Sequence, residues 1–131
     1  MDNMFLSYYN SISCRTIIIE EDDTVCWAYL TKPNSTDIDM DCWLYNRIDA
    51  PSKSDVYKYK NTPPPVPYDF LVDAHCYYGD IKENDVAIIW NNNGTEISVY
   101  INNIQVAIID SISRKTYNIN LKCCCPWGNP M

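Results

Sequence analysis

Between residues 86 and 121 an apolar side chain stands at almost every second position, and that period decides what this chain can fold into. Val86, Ile88 and Trp90 alternate with Ala87 and Ile89, and Ile97, Val99 and Ile101 oppose Glu96, Ser98 and Tyr100. Ile104, Val106 and Ile108 return, and Tyr117, Ile119 and Leu121 alternate with Thr116, Asn118 and Asn120. A helix would space its apolar residues at i, i+3 and i+4, so these are strands. Asn93-Gly94 tolerates positive φ and predicts a two-residue type I′ turn. Asn102-Asn103 predicts a second such turn, and SISRK (111–115) a looser one. The segment reads as a four-strand meander with Ile97, Val99, Ile101, Ile104, Val106 and Ile108 on its core face.

Upstream, RTIII ends a strand, Glu20-Glu21-Asp22-Asp23 form an acidic turn, and TVCWAYL alternates Val25, Trp27 and Tyr29 against Cys26, Ala28 and Leu30. Residues 15–30 therefore predict a hairpin. TKPNSTDIDMD reads as a loop. CWLYNRI (42–48) is another strand, with Trp43, Tyr45 and Arg47 opposed to Cys42, Leu44 and Asn46. Residues 49–70 hold five of the eight prolines, with Lys53, Lys58 and Lys60 beside Tyr57, Tyr59 and Tyr68. Pro63-Pro64-Pro65 cannot supply ladder donors, so this is a long surface excursion of the kind that often carries function. Residues 70–80 fit a short helix or a strand.

Parallel βαβ units need crossovers of about a dozen residues, for which these spacings leave no room. The expectation is one domain over residues 1–131, mainly β with an α+β arrangement still open. It would be an antiparallel sheet, or two packed sheets, of about seven strands. One or two short helices are expected at most, near the N-terminus or residues 70–78.

The net charge of −7 repels phosphate backbones and anionic membranes, which argues against direct nucleic-acid or membrane binding and permits a basic protein partner. The sequence MDNMFLSYYN lacks the features of a secretory signal, and no apolar run approaches the ~20 residues that span a bilayer. Seven cysteines, an odd number, fit free thiols and a reduced cytoplasmic setting.

Chemistry is sparse. The only histidine, His75, adjoins Cys76, but neighbours on a strand point apart, and Asp73 and Asp80 would oppose a thiolate. Cys123-Cys124-Cys125 lacks the paired C-x-x-C knuckles of a zinc site, and soft-metal binding by Cys123 and Cys125 is the alternative that two thiolates allow. The expected role of these cysteines is to finish the last strand inward, stopped by Pro126, with Trp127 capping the core. Asp37, Asp39 and Asp41 lack the glycine and distal glutamate of a calcium loop. Three glycines in the chain leave no room for a phosphate cradle. No catalytic residue, metal or cofactor is expected.

Residues 20–41 carry seven carboxylates (Glu20, Glu21, Asp22, Asp23, Asp37, Asp39 and Asp41) against one lysine, Lys32. Such a concentration accelerates encounter with basic partners. The segments IIIEEDDTVCWAYL, CWLYNRI and DVAIIWNNNGTEISVYINNIQVAIIDSISRKTYNIN, over residues 17–125, resemble a family of small uncharacterised bacterial β proteins. By size, acidity and free thiols the chain is also similar to immunity proteins of contact-dependent growth inhibition and other polymorphic toxin systems. That likeness implies a cytoplasmic protein that binds and blocks a cognate toxin domain, commonly a basic nuclease. On this reading the seven carboxylates would meet toxin lysines and arginines, and Tyr57, Tyr59 and Tyr68 would supply packed anchors. Two other readings remain open: a small-molecule or peptide-binding β module around Trp27, Trp43 and Trp90, and a metal or redox sensor using the cysteine tail.

Overall fold

A computed structural model describes residues 3–59, 63–73, 75 and 78–131, with Tyr57 described for its backbone alone. Alternation becomes two sheets packed face to face. The first has the order β1 (Phe5–Asn10), β2 (Arg15–Glu21), β3 (Val25–Thr31), β4 (Ile38–Asn46), all antiparallel. The second has the order β5 (Val86–Asn91), β6 (Glu96–Ile101), β7 (Ile104–Asp110), β8 (Lys115–Asn118), β9 (Asn129–Pro130), and only β8 and β9 run parallel. Helical geometry among the described residues is limited to four 3₁₀ turns. The mainly β expectation holds. The strands beyond the expected seven are β1, where a short helix was allowed, and the two-residue β9.

The core lies between the sheets. Ile17, Ile19, Cys26, Ala28 and Leu30 face Ile97, Val99, Ile101, Ala107 and Ile109, all at most 1% exposed. Each fully buried aliphatic side chain of this size contributes roughly 1.5–3 kcal/mol. A second cluster sits on the outer side of β3 and β4, where Val25 and Trp43 are covered by Val66, Leu71 and Leu121. The proline-rich excursion thus crosses the first sheet's outer face, and half-buried Trp127 bonds it by donating from its indole to the Pro64 carbonyl at 3.2 Å.

Three bulges shift the alternation. In β7, Val99 pairs with Ala107 but Tyr100 with Gln105, leaving Val106 unpaired. One extra residue reverses the facing of those beyond it. Ala107 and Ile109 therefore enter the core and Ile108 is left half-buried, whereas Ile104, paired with buried Ile101 before the bulge, is 56% exposed at the strand end; both depart from the expected core face. In β4, Leu44 and Asp39 are the unpaired residues, and the first bulge turns Tyr45 toward the inter-sheet core with Cys42 and Leu44. β4 also begins at Ile38, inside the segment read as loop.

The turns divide likewise. Asn102 and Asn103 have φ of 51° and 66° between paired Ile101 and Ile104, the expected two-residue turn. The other Asn-rich turn is longer: Asn91 pairs with Glu96, so residues 92–95 form a four-residue loop with positive φ at Asn92, Asn93 and Gly94. Loops 11–14 and 111–114 share one design, and both carry Ser-Ile-Ser. Asn10 Oδ1 accepts from Ser13 N and Asp110 Oδ1 from Ser113 N, while Cys14 and Arg114 both have φ of 59°. The cysteine tail does not extend the last strand. β8 stops at Asn118, whose side chain is buried, and Cys123 and Cys124 are exposed in the following turns.

A candidate protein-binding face

The outer face of the first sheet is built by the alternate residues that the core does not take. Strand register aligns them in rows: Phe5, Glu20, Trp27 and Trp43; Ser7, Ile18, Tyr29 and Asp41; Tyr9 and Thr16, with Ile38 at the β4 end. Phe5 and Tyr9 are 62% and 63% exposed, Ile18, Trp27 and Tyr29 are half-buried, and Glu20 and Asp41 are exposed. No lysine, arginine or histidine occupies these rows. The Tyr29 hydroxyl is pushed above its usual pKa, first by burial and then by the negative charges of Glu20, Asp41 and Asp22. The negative charges of three of the expected carboxylates are therefore felt at one aromatic side chain.

The seven acids do not form a single patch. Glu21 is an internal residue, 5% exposed: its Oε2 accepts from the Tyr45 hydroxyl at 2.6 Å and lies 3.5 Å from Arg47 Nε, and its Oε1 accepts from Met4 N at 3.2 Å. Asp22 fastens the β2–β3 turn, its Oδ1 accepting from Thr24 N at 2.7 Å and Val25 N at 2.9 Å. Asp23 is exposed beside it. Asp37 lies beyond the other end of β3, a seven-residue strand of roughly 20 Å, and Asp39 sits in the β4 bulge opposite Leu30 and Thr31. Asp37 is exposed, while Asp39 is held by Arg15 at 3.0 Å and Arg114 at 3.1 Å. Those two guanidiniums, Arg114 foremost, lower the Asp39 pKa.

Of the tyrosines, Tyr68 is 46% exposed on the segment that crosses this face, Tyr59 is half-buried, and the side chain of Tyr57 lies outside the described residues. Of the three tryptophans, Trp27 and Trp43 are cross-strand partners and Trp90 lies apart from them. Trp43 is 1% exposed in the outer cluster, Trp27 packs against that cluster, and Trp90 packs against the inter-sheet core. A cleft of about 490 Å³ opens instead between the β4 edge and the C-terminal segment, lined by Asp39, Asp41, Arg114, Lys115, Thr116 and Cys125 among others. Sequence reading missed it because Arg114 reaches Asp39 across 75 residues.

His75 is exposed, with Nδ1 3.5 Å from Asp49, and Cys76 lies outside the described residues. Among the described residues no three His, Cys, Asp or Glu side chains converge as a metal site, and no helix is long and apolar enough to cross a membrane. Fold and face together define a two-sheet β protein with an acidic, aromatic outer surface. No family model, curated protein or solved structure matches the chain.

Proposed function

We propose that the protein binds and neutralises a basic protein partner, a toxin domain, through the outer face of its first sheet. One observation carries this reading: the outward rows combine carboxylates with half-exposed aromatics and hold no cation. Glu20, Asp22, Asp23 and Asp41 would draw in partner lysines and arginines. A guanidinium desolvated over Trp27 or Tyr29 gains a further ~1–2 kcal/mol from the ring. Phe5 and Tyr9 on β1, and Tyr68 on the segment that packs over the β3–β4 side, supply apolar anchors of the kind that dominate interfaces. Inhibition then needs only occupancy of the partner's basic surface, with no chemistry by this chain.

Co-expression with a candidate basic toxin domain, taken from any reading frame adjacent to its gene, tests the reading. Co-purification, rapid association at low salt and loss of both in Glu20→Lys/Asp41→Lys support it; absence of any complex counts against it. The cleft favours a second reading, a module for a small zwitterionic ligand held between Asp41 and Lys115. Stabilisation of the purified protein by an amino acid or short peptide, abolished in Lys115→Ala, would support that alternative.

A further inference from the structure

Four strands end the two sheets, and their edges are treated differently. β4 is bulged at Asp39 and Leu44 and carries two aspartates. The carbonyls of Trp43 and Leu44 accept from Asn118 Nδ2 at 3.1 and 3.0 Å, and that of Asp39 accepts from Arg114 at 3.2 Å. β9 is two residues long and ends in Pro130. Charges, bulges, proline and shortness are the usual protections against strand addition. β1 and β5 have none of them. Their sequences, FLSYYN and VAIIWN, lack charge and proline, and each pairs with its one neighbour over six residues without a register shift.

The two bare edges lie on the same side of the sandwich. Met4 and Tyr8 share one core with Val86, Ile88 and Trp90, and loops 11–14 and 92–95 touch where Gly94 meets Ser13. The core is also left open here: these five side chains are only half-buried, whereas Ile17, Ile19, Ile97 and Val99 on the strands behind them are 0% exposed.

We propose that this side joins a second copy of the chain, β1 pairing antiparallel with its symmetry mate and β5 with its own. A single two-fold axis normal to the sheets makes both pairings at once, as an isologous interface requires. An extended segment from another protein would close only one edge. The paired strands themselves carry no charge, so a chain with a net charge of −7 can meet itself along them with Glu83, whose charge is felt at Tyr8, as the acid to be kept apart from its copy. The dimer leaves the outer faces open and stands independently of the proposed binding function.

Sedimentation equilibrium of the whole chain at roughly 1–100 µM, a range spanning typical dimer affinities, tests this. The expected mass is twice the 15.2 kDa of one chain. Hydrogen exchange should find amides of both Phe5–Asn10 and Val86–Asn91 protected. Ser7→Lys/Ile89→Lys places a lysine near its own copy in the middle of each pairing, at exposed positions, and should give one-chain mass with unchanged circular dichroism and faster exchange in both strands. A wild-type chain of one-chain mass throughout overturns the proposal. So does a dimer in which β1 and β5 exchange freely, or protection of these edges only when another polypeptide is bound.

Discussion

The Tyr45 hydroxyl donates a 2.6 Å hydrogen bond to Glu21 Oε2, tying the acidic turn to β4 beneath the surface. The pair divides the acidic segment in two: Glu20 and Asp23 face solvent, while Glu21 is consumed by the fold. A hydrogen bond to a buried carboxylate contributes about 1.5–3 kcal/mol. Tyr45→Phe should lose that amount in urea unfolding with an unchanged slope. A loss near zero would mean that the bond is compensated elsewhere.

Gly94 joins the two sheets by what it lacks. A Cβ there would lie 2.7 Å from Ser13 Cβ and Oγ and 2.9 Å from Asn10 Oδ1, and φ is +82°. Gly94→Ala should destabilise by about 1–3 kcal/mol, combining backbone strain with the clash. Adding Ser13→Gly should recover the part of the clash that comes from Ser13 and leave the strain and the Asn10 contact. Strict additivity of the two changes would contradict contact between the loops.

Asp39 carries a predicted acid sensitivity. Its pKa is depressed by bonds from Arg114 and Arg15, so its stabilising contribution is fully present above the ordinary carboxylate value of 3.8. That contribution is lost as pH falls through the depressed value. The stability difference between wild type and Arg114→Met should be constant near neutrality and narrow below about pH 4. The remainder at low pH reports the bond from Arg114 to the Asp39 carbonyl.

Thiol reactivity should sort by depth. Burial pushes the Cys26 and Cys42 thiols up to about 12, whereas Cys123 and Cys124 are exposed. The thiolate is the reactive form. Native protein treated with an aromatic disulfide near pH 8 should label Cys123 and Cys124 quickly, and Cys26 and Cys42 only on unfolding. Rapid native labelling of Cys42 would contradict its place in the core.

Much of this fold could be read from its period. Val86, Ile88 and Trp90 face inward as their spacing requires, and Asn102-Asn103 makes the turn that two asparagines favour. The facing errors within strands lie mostly at bulges. Ile108 obeys the same pattern as Ile97, but Val106 inserts one residue and the register resets. A bulge is chosen by what packs across it, as Asn118 does against Leu44, and that partner lies 74 residues away. The outer face was half legible. Its acids and aromatics stand in order along the chain, but which carboxylates the fold would bury depended on Tyr45, Arg15 and Arg114. The repeated Ser-Ile-Ser turns were open to inspection, since SIS occurs at both 11–13 and 111–113.

The central claim, that the first sheet's outer face captures a basic partner, is tested most directly by association kinetics against a candidate basic toxin domain that co-purifies with it, at several salt concentrations. Wild-type association should slow markedly as salt rises, because exposed charges are screened within about 8–10 Å at physiological ionic strength. Glu20→Lys/Asp41→Lys should be slow at every salt concentration, while Asp37→Lys at the far end of β3 stays close to wild type. Association insensitive both to salt and to Glu20→Lys/Asp41→Lys would contradict the account.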